Sequence, residues 1–313
     1  MADTSEWCSI KHTAFMRNGW FTPVFIQLAV SNICGQFLEK ENLRKWIRHY
    51  QLDDNIQPKN VGIVMAGNIP MVGFHDFLAA FISGHHQTIK LSSKDEVLLP
   101  HLIEKMTEWD GRMSEHITIA PMLKGCDAYI ATGSNNSSRY FDYYFGKYPN
   151  IIRKNRTSVA ILDGKETTTE LEKLSDDIHS FFGLGCRNVT SIFVPEAYDF
   201  VPLLNSFHRY KYFADHHKYK NNYDYNLSIQ IMNNRFYMTN ESTLLVENDS
   251  LFSPISQLNY RFYKVSGDPE KLLAANESVQ CIAGKDMPYG DAQQPGLMDY
   301  ADGVDTIQFL LTL

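Results

Sequence analysis

The sequence predicts an α/β fold built on parallel sheets, and three observations carry that expectation. Short apolar runs alternate with longer windows of helical periodicity from residue 60 to about residue 210. The runs are apolar at successive positions rather than at alternate ones, as strands covered on both faces must be. Enough chain separates one run from the next for right-handed crossovers. With 313 residues, 44% hydrophobic and 21% charged, the chain can bury the core of one large α/β unit or of two ordinary domains.

Helices come first along the chain. Thr22 before Pro23 is an N-cap followed by the residue best tolerated at the first helical position, and Phe25, Leu28, Ala29, Ile33 and Phe37 continue at helical spacing. A second amphipathic helix is predicted over 43–50, after which Pro58 breaks the pattern. Strands are predicted over 61–65, 86–91 and 127–131, with helices over 72–82 and 97–109 between them and another over 138–144. A strand over 158–162, a helix over 166–182 opened by Thr167–Thr169, a strand over 191–194 and a helix over 198–210 continue the alternation. The character then changes. Residues 208–225 are polar and aromatic at once, with no role derivable for 221–226. Strands follow over 244–247 and 260–265, and the apolar tail 304–313 reads equally as strand or helix.

Bulk properties exclude several classes. A net charge of −7 and a pI near 5.9 argue against nucleic acid as the main partner. No apolar run approaches the roughly 20 residues of a membrane span, and the N-terminus lacks the basic-then-apolar order of a secretion signal. Five scattered cysteines (Cys8, Cys34, Cys126, Cys186, Cys281) form no CxxC pair, so the expectation is a reducing cytoplasm without a disulfide framework. No metal is expected. The doublets His85-His86 and His216-His217 lack ligand spacing, and Asp299, Asp302 and Asp305 lack that of a calcium loop.

Cys186 is the most informative residue. It stands in Phe182-Gly183-Leu184-Gly185-Cys186-Arg187-Asn188, where glycines permit close approach of a substrate carbonyl and a cation and an amide flank the thiol. A thiol attacking a carbonyl needs a donor for the oxyanion, and Asn68 in Ala66-Gly67-Asn68-Ile69-Pro70, at the mouth of a predicted strand, is a candidate. Read alone, an asparagine between glycine and Ile-Pro is most often a turn residue. Gly133 and Ser134 follow a strand, as a helix cap or as donors to a pyrophosphate. Lys90 and Ser92 end another strand, as solvated residues or as a ribose site. No GxGxxG fingerprint is present.

These motifs, in this order, resemble the aldehyde dehydrogenase superfamily. Gly73-Phe74-His75-Asp76-Phe77, Tyr144-Phe145-Gly146-Lys147-Tyr148-Pro149, Arg153-Lys154-Asn155-Arg156-Thr157-Ser158 and Gln293-Gln294-Pro295-Gly296-Leu297 narrow the likeness to the LuxC-type fatty-acyl-CoA reductases, in a short form. The resemblance runs from about residue 20 to the C-terminus. It implies an aldehyde-dehydrogenase-like fold with a Rossmann-type cofactor domain over 1–165, N-terminal helices included. A catalytic domain over 166–313 would follow, ending in an oligomerisation strand. It makes Cys186 the nucleophile toward an acyl-CoA and Asn68 the oxyanion donor. Lys90, Ser92, Gly133 and Ser134 would hold NADPH, with NADH possible. Homo-oligomers, and enzymes that supply the acyl group or consume the aldehyde, are the implied partners.

One departure bears on the reaction. Hydrolytic aldehyde dehydrogenases carry a glutamate base between the Gly-Ser loop and the cysteine, where this chain has Ile151-Ile152-Arg153-Lys154-Asn155. Without a carboxylate to activate water, a thioester persists until it is reduced or returned to CoA. The rivals are a cysteine acyltransferase without hydride transfer and a catalytically inactive binding protein of the same fold. If the tail 305–313 is the oligomerisation strand, its deletion lowers the assembly state.

Overall fold

The apolar runs become the inner strands of two sheets, in two units seen in a computed structural model that describes residues 4–53, 55–264 and 269–313. One unit comprises Met1–Asn155 with Pro295–Leu313, the other Arg156–Gln294. The division thus falls at Asn155, ahead of the predicted 165, and the C-terminal residues return to the first unit.

In the first unit, helices α1 (Ser5–Arg17), α2 (Pro23–Asn32) and α3 (Lys40–Tyr50) precede the sheet. The start of α2 is the one its sequence predicts, with Pro23 in the first turn and Thr22 Oγ1 accepting from Phe25 N at 3.4 Å. There follow β1 (Asn60–Val64), α4 (Phe74–Ile82), β2 (His86–Lys90), α5 (Leu98–Trp109), α6 (Met113–His116) and β3 (Ile117–Ile119). The sheet is completed by β4 (Ala128–Thr132), α7 (Asn135–Phe145) and β5 (Asn150–Arg153). Five strands in the order β3-β2-β1-β4-β5 are all parallel to their neighbours. Val64 pairs with both Lys90 and Ala131, so β2, β1 and β4 reach the same level before their chains leave the sheet.

The second unit opens with β6 (Thr157–Ile161), α8 (Thr168–His179), β7 (Val189–Pro195), α9 (Val201–Ser206) and α10 (His217–Met232). It continues through β8 (Met238–Thr239), β9 (Leu244–Glu247), β10 (Gln257–Tyr263), α11 (Pro269–Ala274) and β11 (Val279–Ala283). The strand order is β11-β6-β7-β10-β9-β8, with β8 the antiparallel edge. Val265, the predicted end of the 260–265 strand, lies outside the described residues. A capping box of Thr167 and Glu170 starts α8. The helix stops at His179, short of the predicted 182, because Phe181 (φ 55), Phe182 (φ 58) and Gly183 (φ 73) turn into the left-handed region.

The tail differs from its predicted strand. It is helix α12 (Thr306–Leu311), packed in the core of the first unit, with Ile307 and Leu310 fully buried beside Phe77 and Ile63. Polar ties reinforce it. The Trp46 indole donates to Tyr300 Oη at 2.9 Å, Tyr300 donates to Tyr50 Oη at 2.9 Å, and Tyr50 donates to Asp305 Oδ2 at 2.6 Å. Lys59 N donates to His85 Nδ1 at 3.1 Å, which leaves His85 Nε2 as the donor to Leu310 O at 3.0 Å. Among the described residues no helix is long and apolar enough to cross a membrane.

Candidate active site

Five of the six residues singled out in the sequence gather at one edge of the first sheet, the carboxyl ends of β1, β2 and β4. In open parallel sheets this is the edge that receives ligands. Asn68 is half-buried in the segment leaving β1. Lys90 is the exposed last residue of β2, with Ser92 two positions on. The two segments press together at Gly67, where a Cβ would lie 2.6 Å from Ser92 Oγ, so only glycine permits the approach. Gly133 leaves β4 under a similar constraint, since a Cβ there would stand 2.8 Å from the Phe141 ring. Ser134 then caps α7, its hydroxyl accepting from Ser137 N at 3.3 Å.

The Asn68 segment has a support that the sequence does not announce. The buried carboxylate of Asp95 accepts from Met71 N at 3.1 Å and from Leu98 N at 3.4 Å, so it shapes that segment and starts α5. Burial pushes the Asp95 carboxyl up, against the pull of these donors. Met71 holds a left-handed φ of 57. Beneath lies a cavity of only about 10 Å³, bounded by Met65, Ala66, Met71, Leu91 and Asp95, room for one water at most.

Cys186 belongs to the second unit. It follows the left-handed residues that end α8 and sits half-buried in a β-turn closed by Asn188 N donating to Gly185 O at 3.1 Å. The fully buried Asn188 side chain underpins that turn. Its Oδ1 accepts from Gly185 N at 2.7 Å, and its Nδ2 donates to Asp177 O and Ser180 O, each at 2.9 Å. Those carbonyls belong to the buried end of α8, which has no water to satisfy them. Ser158 Oγ donates to Cys186 O at 3.1 Å. The Cys281 thiol, 3.1 Å from the same Oγ, is therefore the donor to it. Burial pushes Cys281 up, which keeps it protonated for that role. Arg187 extends its Nη1 to 4.0 Å from Met287 Sδ.

Two buried ionisable groups flank the turn with opposite signs. Burial lowers His179 to about 4; its Nδ1–H donates to Ser175 O at 2.8 Å and its Nε2 accepts from Thr243 Oγ1 at 3.0 Å. Burial raises Asp177 to about 7 although Gly290 N and Ala292 N both donate to it. In the unfolded chain His179 binds a proton near pH 6.5 that the native state refuses until about pH 4. Its contribution is thus complete above 6.5 and is lost as pH falls to 4, about 3 kcal/mol over the window. Asp177 acts oppositely: its contribution is present below 3.8 and lost as pH rises through 7. The expected result is that His179→Phe removes the acid-side loss attributed to His179. A urea-midpoint difference between variant and wild type that does not change from pH 7 to pH 4 would contradict this.

The stretch 151–155, expected to carry no base, is anchored by its arginine. Arg153, ending β5, is 3% exposed and lies 2.7 Å from Asp76 Oδ1 on α4. It also donates to Ala301 O at 2.5 Å and to Thr306 Oγ1 at 2.8 Å. The histidine doublets have structural posts as well. His85 ties the tail, His86 stacks on His116 at 4.9 Å, and His216 caps α10. Among the described residues no group of three or more His, Cys, Asp and Glu is placed to hold a metal. Sequence reasoning missed Asp95 altogether, and named Ser158 and Arg153 only within a motif, without their supporting roles. Asn188 stood in its motif only as a flanking amide, since the carbonyls it serves lie far back on α8.

No known family profile matches this sequence, and no curated protein does. Solved structures match by shape. An oxidoreductase from Marinobacter aquaeolei is 11% identical, with a TM-score of 0.62 over 88% of this chain and 69% of that one. An indole-3-acetaldehyde dehydrogenase of P. syringae, solved with NAD+ and IAA, is 9% identical, with a TM-score of 0.56 over 72% of this chain and 55% of that one. An aldehyde dehydrogenase of Mycobacterium tuberculosis complexed with NAD+ is 13% identical, with a TM-score of 0.52 over 69% and 53%. The chain therefore spans little more than half the length of these two dehydrogenases. At such identities the likeness speaks for architecture: the chain has an aldehyde-dehydrogenase-like α/β fold of parallel-sheet units.

Proposed function

We propose that this protein is an acyl-CoA reductase of the LuxC type, which converts a fatty acyl-CoA to the aldehyde through an acyl-cysteine at Cys186. The single observation that carries the reading is the Cys186 turn: a half-buried thiol at its tip, beside Arg187, on a buried hydrogen-bonded base. In the proposed reaction the Cys186 sulfur attacks the thioester carbonyl, the carbon–sulfur bond to CoA breaks, and the CoA thiolate leaves. Asn68 is assigned the oxyanion, with the Cys186 N–H as its companion.

The residues at the first sheet edge suit a nicotinamide dinucleotide. Lys90 offers a cation, Ser92 and Ser134 offer hydroxyls, and the first turn of α7 offers backbone N–H groups. When bound, such a cofactor supplies the hydride that turns a thioester into an aldehyde; NADPH is the form we propose, with NADH as the alternative. Relatives by shape that were solved with NAD+ support a nicotinamide. The engagement of Arg153 with Asp76, where hydrolytic enzymes keep a base, supports reduction over acid formation.

The test is intact mass after mixing the protein with medium- and long-chain acyl-CoA in the absence of cofactor, beside Cys186→Ala. The expected result is an acyl adduct on the wild type alone, discharged as aldehyde when NADPH is added. An adduct that leaves only to other thiols or amines, without NADPH oxidation, selects the transferase. No adduct at any chain length selects an inactive binding protein.

A further inference from the structure

The Cys186 turn rests on two side chains that its own motif does not explain. Asn188 takes both backbone polar groups of Gly185, one through its N–H and one through its Oδ1, while its Nδ2 serves the carbonyls of Asp177 and Ser180. It is fully buried, as is Ser158, whose hydroxyl holds the Cys186 carbonyl from the neighbouring strand β6. The chain entering the turn is strained, because Phe181 and Phe182 are bulky residues in the left-handed region. The Phe182 ring is locked in place, 4.5 Å from both Phe213 and His216. Such strain persists only where surrounding contacts over-determine it, and it gathers at functional sites. A turn closed, capped and strained in this way has one peptide geometry available at Cys186.

We infer that Asn188 and Ser158 are positioning residues that set the reactivity of the Cys186 thiol without touching substrate, an inference that rests on Cys186 being the nucleophile. Asn188 fixes the turn to the end of α8, and Ser158 fixes the orientation of the Cys186 peptide. Releasing either lets the sulfur and the N–H groups around it wander relative to one another. A misplacement of the order of 1 Å at a reacting atom is enough to cost a large factor in rate.

The experiment uses the full chain with Asn188→Ala and Ser158→Ala, and checks folding by circular dichroism. The rate at which iodoacetamide labels Cys186, read by peptide mass, is followed between about pH 6 and pH 9. The same variants are then acylated by acyl-CoA over a concentration series. The expected result is a rate of labelling and a maximal rate of acylation each lowered by about tenfold or more, the acylation at unchanged half-saturation. A folded variant with the wild-type labelling profile and acylation rate overturns the inference. If Asn188→Ala does not fold, Ser158→Ala, which removes a single hydroxyl, decides alone. A wild type that takes up no acyl group defeats the proposed function, and the labelling profile still judges the two positioning residues. A wild type that is acylated, with folded variants keeping pace, defeats the inference only.

Discussion

Deleting residues 305–313 is expected to unfold or severely destabilise the first unit. The segment places Ile307 and Leu310, both fully buried, among Phe77, Ile63 and their neighbours. Truncating one such buried aliphatic side chain costs about 2–5 kcal/mol, so losing both approaches the whole margin of an ordinary domain. The deletion also strips Thr306 Oγ1 from Arg153, Leu310 O from His85 and Asp305 from Tyr50. A melting transition lowered by about 10–20 °C, or lost, is the expected reading by differential scanning calorimetry. The opposite outcome is a truncated protein that melts with the wild type and scatters light as a smaller assembly. That would restore the tail to the oligomerisation role its apolar run suggested.

The tail shows why some of the fold was legible in the sequence and some was not. Strands β1, β4, β6 and β7 announced themselves because strands inside parallel sheets are covered on both faces and so carry successive apolar residues. The starts of α2 and α8 were equally readable, since Thr22-Pro23 and Thr167 with Glu170 supply caps that depend on local chain alone. The run Ile307-Gln308-Phe309-Leu310-Leu311 carries no such sign. Five apolar-rich residues suit a buried strand or a buried helix alike, and the choice is made by partners far away in sequence, such as His85 and Arg153. The same non-local return joins Pro295–Leu313 to the first unit.

Helix α10 hid for a different reason. Its inward face is Tyr219, Tyr223, Asn226 and Gln230, which keep helical spacing but are not aliphatic, so the stretch read as merely polar and aromatic. At the candidate site, the residue types that do chemistry were legible in order, and five of them share one sheet edge. What holds them was not. Nothing local marks Phe181 and Phe182 for the left-handed region, where glycine or asparagine is the usual choice. Asp95 at Met71 N, Ser158 at Cys186 O and Asn188 at Asp177 O act on backbone groups that only the folded chain brings near.

Breaking the Arg153–Asp76 pair from one side is the second change with a large expected effect. Both side chains are buried, 3% and 10% exposed, and joined at 2.7 Å with a second contact at 3.3 Å from Arg153 Nε to Asp76 Oδ2. Removing one partner leaves the other charge out of water and unpaired, a cost of about 3–5 kcal/mol. Arg153→Met and Asp76→Asn are each expected to lose that much by urea unfolding. The double variant Asp76→Asn with Arg153→Met is expected to lose less than the two single losses together, since it leaves no orphaned charge. Strictly additive losses would mean that the two groups do not act as a pair.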